Sequence, residues 1–231
     1  MNFIYLREDN NDLTFMKKIL FSILLISSIG VNAQFWTEKA TGFTKADRSL
    51  NSISIVDAST VWANAFDNST PLNPNYTIKE YTRSIDGGNT WIPGTIDLGM
   101  NSGDMGFSSI TAVSATTAWI SVTPSAINSG GIWQTTNGGS IWTKQTTASF
   151  NSANSYPNFV YFWDANNGIA QGDPEGGEFE IYTTTNGGTN WTRVPAANIP
   201  DPSPIGGEFG YFSRYSVSGS TIWFGTDKGR I

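Results

Sequence analysis

The chain has 231 residues, 39% of them hydrophobic, and a formal net charge of −6, enough for one sizeable core. With 13 Lys and Arg against 19 Asp and Glu, it argues against nucleic acid and anionic membrane surfaces as partners. It has no histidine and no cysteine, which excludes His-based triads, His metal sites, histidine acid–base chemistry and disulfides.

Residues 1–15 are polar and carry no pattern, and read as a mis-called N-terminal extension. Met16 then opens a stretch with Lys17 and Lys18, a short apolar run, and Val31-Asn32-Ala33. That is the layout of a secretory signal peptide over residues 16–33, with mature residues from Gln34. The apolar run is short for a bilayer, so an N-terminal anchor is the lesser reading, and no membrane span is expected once the signal is removed. Export predicts a secreted or cell-surface protein. Residues 34–39 repeat the pattern that follows Trp142 and Trp191, and read as an isolated outer strand.

From there the chain repeats. Residues 53–63, 110–120, 160–170 and 215–224 each read as two short strands around a polar turn. Residues 84–91, 135–142 and 184–191 share the pattern Ser/Thr-x-Asp/Asn-Gly-Gly-x-x-Trp, with starts 51 and 49 residues apart. β-rich runs precede each copy, and a tryptophan opens the next strand, so each copy reads as a hairpin turn. Asp86, Asn137 and Asn186 can fold back onto backbone N–H groups as Asx-turns. Gly88, Gly139 and Gly188, each with the glycine before it, supply positive φ, and Trp91, Trp142 and Trp191 bury large rings. Two hairpins per repeat make four strands, and this period predicts an all-β propeller with one repeat per blade. The expected incomplete propeller spans residues 34–231, with blades at about 43–94, 107–146 and 158–195 and a partial fourth at about 211–231. By analogy with residues 131–135, a further motif belongs about three residues beyond Ile231, so the chain reads as an N-terminal fragment of a protein with about six or seven blades.

The motif resembles the Asp-box, or BNR repeat, of sialidase-like propellers. The resemblance implies a fold element between the third and fourth strands of a blade, away from the ligand face. It gives Ser84, Asp86, Gly88, Trp91, Thr135, Asn137, Gly139, Trp142, Thr184, Asn186, Gly188 and Trp191 structural roles. Residues 159–184 are similar to exported propellers of Bacteroidota, which commonly end in a type IX secretion sorting domain. The repeats also resemble the photosystem II assembly factors, which bind without catalysis.

Sialidase chemistry would need three arginines on a carboxylate, a tyrosine nucleophile with a Glu partner and an acid/base Asp. After residue 33 the chain holds only Arg48, Arg83, Arg193, Arg214 and Arg230. Arg83 and Arg193 sit beside motif turns, where strand alternation accounts for them.

The ligand-face candidates are the carboxylates of the third repeat. Asp173, Glu175 and Glu178 are placed in the loop between its second and third strands. Asp201 and Glu208 are placed in the Pro- and Gly-rich connection of residues 195–210. In propellers these loop types share one face. Carboxylates there could pair for glycoside chemistry or hold calcium, although a solvated acidic surface is the plainer reading. Tyr156, Phe209 and Tyr211 could stack on sugars, although such aromatics more often pack. The expectation is a non-enzymatic exported propeller that binds a protein or carbohydrate ligand, with no cofactor, no metal and no catalytic residue. The alternative is a glycoside hydrolase of the sialidase-like superfamily.

Overall fold

The computed structural model describes residues 37–70, 77–99, 105–124, 130–152, 154–204 and 207–231. The expected extension, the signal peptide and Gln34, Phe35 and Trp36 lie outside the described residues. The chain divides into two units, of which the second, Lys39–Ile231, holds nearly all the described residues. Residues 37 to 39 form no strand, unlike the outer strand read there from the sequence.

The second unit is all-β, a propeller built of four-stranded antiparallel blades. Blade 1 is β1 (Arg48–Ile55), β2 (Val61–Asp67), β3 (Glu80–Ser84) and β4 (Ile92–Thr95), paired in that order. Blade 2 is β5 (Gly106–Ala112), β6 (Ala118–Thr123), β7 (Gly131–Thr135) and β8 (Thr143–Gln145). Blade 3 is β9 (Pro157–Phe162), β10 (Gly168–Glu175), β11 (Glu178–Thr184) and β12 (Thr192–Arg193). The fourth sheet is the hairpin of β13 (Gly210–Ser218) and β14 (Thr221–Thr226). A single 3₁₀ turn, Ala196–Asn198, lies between β12 and β13.

The innermost strands β1, β5, β9 and β13 meet at Ser108. Its carbonyl accepts from Asn51 Nδ2 at 3.0 Å and from Ser213 Oγ at 2.7 Å, and its hydroxyl donates to the Pro157 carbonyl at 2.5 Å. One residue of blade 2 is therefore bonded to all three other sheets. Small hydroxyl side chains suit this place, because inner strands approach closely and their unpaired backbone groups need partners. The same device recurs between neighbours. Ile110 N–H donates to Ser52 Oγ at 3.0 Å, Ala112 N–H to Ser54 Oγ at 2.9 Å, and Val160 N–H to Ser109 Oγ at 2.9 Å.

Apolar side chains fill the seams between blades. The first seam sets Trp62 against Tyr81 (ring centroids 5.5 Å), with Trp142 edge-on to both and Ile110 and Ala112 alongside. The second stacks Trp119 on Phe162 (3.6 Å, 11° between planes), with Trp191 edge-on to Phe162. Blade 2 is covered on both sides, so all seven residues of β5 are buried. This explains why its sequence, Gly-Phe-Ser-Ser-Ile-Thr-Ala, lacks the apolar–polar alternation of a half-exposed strand.

The three motif turns join the third strand of each blade to the fourth, and each holds one hydrogen-bond net. Gly88 N–H donates to Ser84 Oγ at 2.8 Å, and Ser84 Oγ and Thr90 N–H both donate to Asp86 Oδ1 at 2.9 Å. The net repeats at Thr135, Asn137, Gly139 and Ile141, and at Thr184, Asn186, Gly188 and Asn190. Both glycines of every copy have φ between 69° and 90°. The first glycine also donates its N–H to the turn between the blade's first two strands: Gly87 to Ser59, Gly138 to Thr116, Gly187 to Asn166. The two hairpins of a blade are thereby clipped together at one end.

Asp86 differs from Asn137 and Asn186 in carrying charge. Hydrogen bonds from the Thr90 hydroxyl and backbone, outweighing a small desolvation cost, hold its carboxyl down to about 2. A depressed carboxyl stabilises the fold fully above its ordinary value of about 4, and that contribution is lost as pH falls towards 2. The Thr90 amide should shift with pH in that window in an NMR titration, while the Ile141 and Asn190 amides stay flat. The Asp86→Asn variant should abolish the Thr90 response.

Candidate functional site

Five sequence-derived carboxylates fall in three separate places. Asp173 and Glu175 are not in a loop: they lie in β10, and Glu178 opens β11 directly opposite Glu175. The connection is only the Gly176-Gly177 turn. β10 extends this far because a bulge between Gly172 and Pro174 admits the proline, which cannot donate to the ladder. Glu175 and Glu178 share a shallow depression with Arg193 and Pro195. Asp201 is exposed, and its carbonyl accepts from Arg230 Nη1 at 2.8 Å. Glu208 has a buried side chain that accepts from Ser203 N–H and from Arg230 Nη1, both at 2.7 Å, and from the Thr226 hydroxyl. Burial pushes the Glu208 carboxyl up, but those hydrogen bonds and the Arg230 charge together hold it below the ordinary range.

Asp173 alone of the five enters a concavity of about 490 Å³ at the mouth of the axis, where β1, β9 and β13 converge. Its Oδ1 accepts from Asn158 Nδ2 at 2.7 Å and from Gly210 N–H at 2.9 Å. Burial raises its carboxyl, the two hydrogen bonds oppose the rise, and Asp227 adds to it. Asn158 is buried, and its Oδ1 has no partner. The floor thus offers acceptors to a ligand with N–H or O–H groups. Tyr156, Phe209 and Tyr211 stand partly exposed around it, with Phe209 edge-on to Tyr211 at 5.6 Å. The apolar rings are carried by the chain entering β9 and by the start of β13, so strand positions fix their spacing.

Asn51 and Asn158 also line this mouth and are absent from the sequence reading, and Arg214, weighed there only among the arginines, lines it too. Asn51 sits at the β1 bulge between Leu50 and Ser52, a polar residue inside an otherwise strand-like run. The hint was present, but its direction depends on the bulge. The remaining arginines are dispersed. Arg48 pairs with Asp67 and Glu80 at 2.9 Å within blade 1, and Arg83 lies 5.3 Å over the Trp62 ring and donates to the Ala115 carbonyl. Among the described residues, no three metal-ligating side chains converge.

Solved structures with a similar fold include the GH74 enzyme of Niastella koreensis, 17% identical over 78% of this chain and 26% of that one, with a TM-score of 0.52. A YCF48 structure bound to a D1 peptide is 18% identical over 78% of this chain and 54% of that one, with a TM-score of 0.44. YCF48 from Cyanidioschyzon merolae is 17% identical over 78% of this chain and 56% of that one, with a TM-score of 0.43. The chain therefore spans about half the length of the YCF48 structures and about a quarter of the GH74 enzyme. At this identity the likeness is one of fold. No family model matches the chain, and no curated protein sequence matches it.

Proposed function

We propose that this propeller is a non-enzymatic binding protein that takes a carbohydrate at the mouth of its axis. The observation that carries the reading is the ring of Tyr156, Phe209 and Tyr211 around the acceptors of Asn158 and Asp173. A sugar has a flat C–H face for aromatic rings and hydroxyls that donate to buried acceptors. One carboxylate, already engaged by Asn158 and Gly210, is a binding group rather than half of an acid–base pair. The lysines and apolar run of residues 16–33 support export and action at the cell surface. A protein ligand with an aromatic or amide-rich loop fits the same chemistry.

Titration calorimetry with gluco-, xylo-, manno- and chito-oligosaccharides tests this. One class should bind, and Tyr211→Ala should weaken it about tenfold. No sugar binding, or binding indifferent to Tyr211, would overturn the reading. The glycoside hydrolase alternative draws on the raised carboxyl of Asp173, which suits a general acid. Release of shorter sugars during the same titrations, abolished by Asp173→Asn, would establish it instead.

A further inference from the structure

We propose that the carbohydrate taken at the mouth of the axis is an amino sugar, one that carries a protonated primary amine; the inference rests on the carbohydrate reading above and names the class. The floor of the mouth decides it. Asn158 and Gln171 are 1% and 0% exposed, and both crowd Gly210: a Cβ there would lie 2.5 Å from Asn158 Nδ2 and 3.2 Å from Gln171 Nε2. Each amide nitrogen is bonded, Asn158 Nδ2 to Asp173 Oδ1 and Gln171 Nε2 to the Gly172 carbonyl, both at 2.7 Å. A carboxylate and a carbonyl accept, so these partners fix which end of each amide is which. The Gly210 N–H donates to Asp173 Oδ1 as well, at 2.9 Å. The two amide oxygens, Asn158 Oδ1 and Gln171 Oε1, are buried with no partner. The floor has turned its donors inward and left its acceptors over, beside a carboxylate.

That imbalance selects among ligand groups. A hydroxyl that donates to such a floor carries two lone pairs of its own into a place with few donors to meet them, and an unmet buried acceptor is costly. An ammonium has three N–H groups and no lone pair, so it asks only for acceptors. It also brings a positive charge, which the Asp173 carboxylate attracts. Tyr156, Phe209 and Tyr211 stand around the same mouth, where a cation gains from the faces of aromatic rings. The surrounding charges work in the same direction. Asp227, which accepts from the Phe209 N–H and pairs with Lys228, adds to the negative field on Asp173. Arg214 is exposed on the rim, where solvent screens its charge and its donors suit the hydroxyls of a neighbouring sugar residue. Burial opposes charge on Asp173, and an ammonium beside it restores the charged form.

Titration calorimetry at about pH 6, where a sugar amine is protonated, compares oligosaccharides of one length and one linkage: gluco-, chito- and fully deacetylated chito-oligosaccharide. The deacetylated form should bind about tenfold more tightly than the other two, and the margin should vanish as pH rises past about 8 and the amine loses its proton. Asp173→Asn keeps an oxygen for Asn158 and Gly210 but not the charge, and should erase the margin at about pH 6 as well. Equal or tighter binding of the neutral forms overturns the amine and leaves the carbohydrate reading standing, and so does a margin that survives in Asp173→Asn. If neither kind of sugar binds, the carbohydrate reading fails and the amine with it; binding of a lysine oligopeptide in that case assigns the mouth to a protein ligand.

Discussion

Replacing Trp119 with alanine is expected to cost about 3–5 kcal/mol, a large share of the roughly 5–15 kcal/mol that holds a domain folded. Trp119 is fully buried, stacks on Phe162 across the seam between blades 2 and 3, and donates Nε1–H to the Gly187 carbonyl at 3.3 Å. That bond ties the seam to the motif turn of blade 3, so truncation opens a cavity and frees the turn together. Thermal unfolding should move down by about 10 °C. Trp223 occupies the matching place in the fourth sheet but is half exposed. At low protein concentration, Trp223→Ala should change stability by no more than about 0.5 kcal/mol. Equal losses at the two positions would contradict the seam as the source of stability.

The second large effect is expected at Gly139, the last glycine of the blade 2 turn. Its φ is 90°, and a Cβ there would overlap the Tyr81 hydroxyl of blade 1. Tyr81 is buried between Trp62 and Trp142 and cannot swing away without opening the first seam. Gly139→Ala should therefore cost on the order of 3 kcal/mol, combining backbone strain with overpacking. Gly176, at φ 68° with nothing near its Cβ position, separates the two terms. Gly176→Ala carries the strain alone and should cost about 1 kcal/mol. Urea denaturation of both variants reads the difference as the contribution of the close approach between blades.

Much of the architecture was legible because it is local. The Asp/Asn-Gly-Gly spacing dictates a turn, since the side chain reaches backbone N–H groups four residues on and the glycines take positive φ at no steric cost. Repeating that turn near every fiftieth residue, with strand-like flanks, dictates four strands per repeat and hence a propeller. The serine or threonine that opens the motif carried a role the sequence reading did not specify: its hydroxyl accepts from the second glycine and donates to the Asp or Asn.

The site was not legible in the same way. Asp173, Glu175, Glu178, Asp201 and Glu208 look alike as carboxylates beside Gly- and Pro-rich segments. The fold buries Glu208 under Arg230, sets Glu175 opposite Glu178 at a hairpin end, and turns only Asp173 to the axis. Asn51, Asn158 and Arg214 join Asp173 from three different sheets, a convergence that no spacing along the chain encodes. The blades could be read along the chain, because turn chemistry and strand alternation act over a few residues. Which side chains face the axis, a seam or solvent emerges only when the blades pack, because bulges reset the alternation and each face is defined by the blade against it.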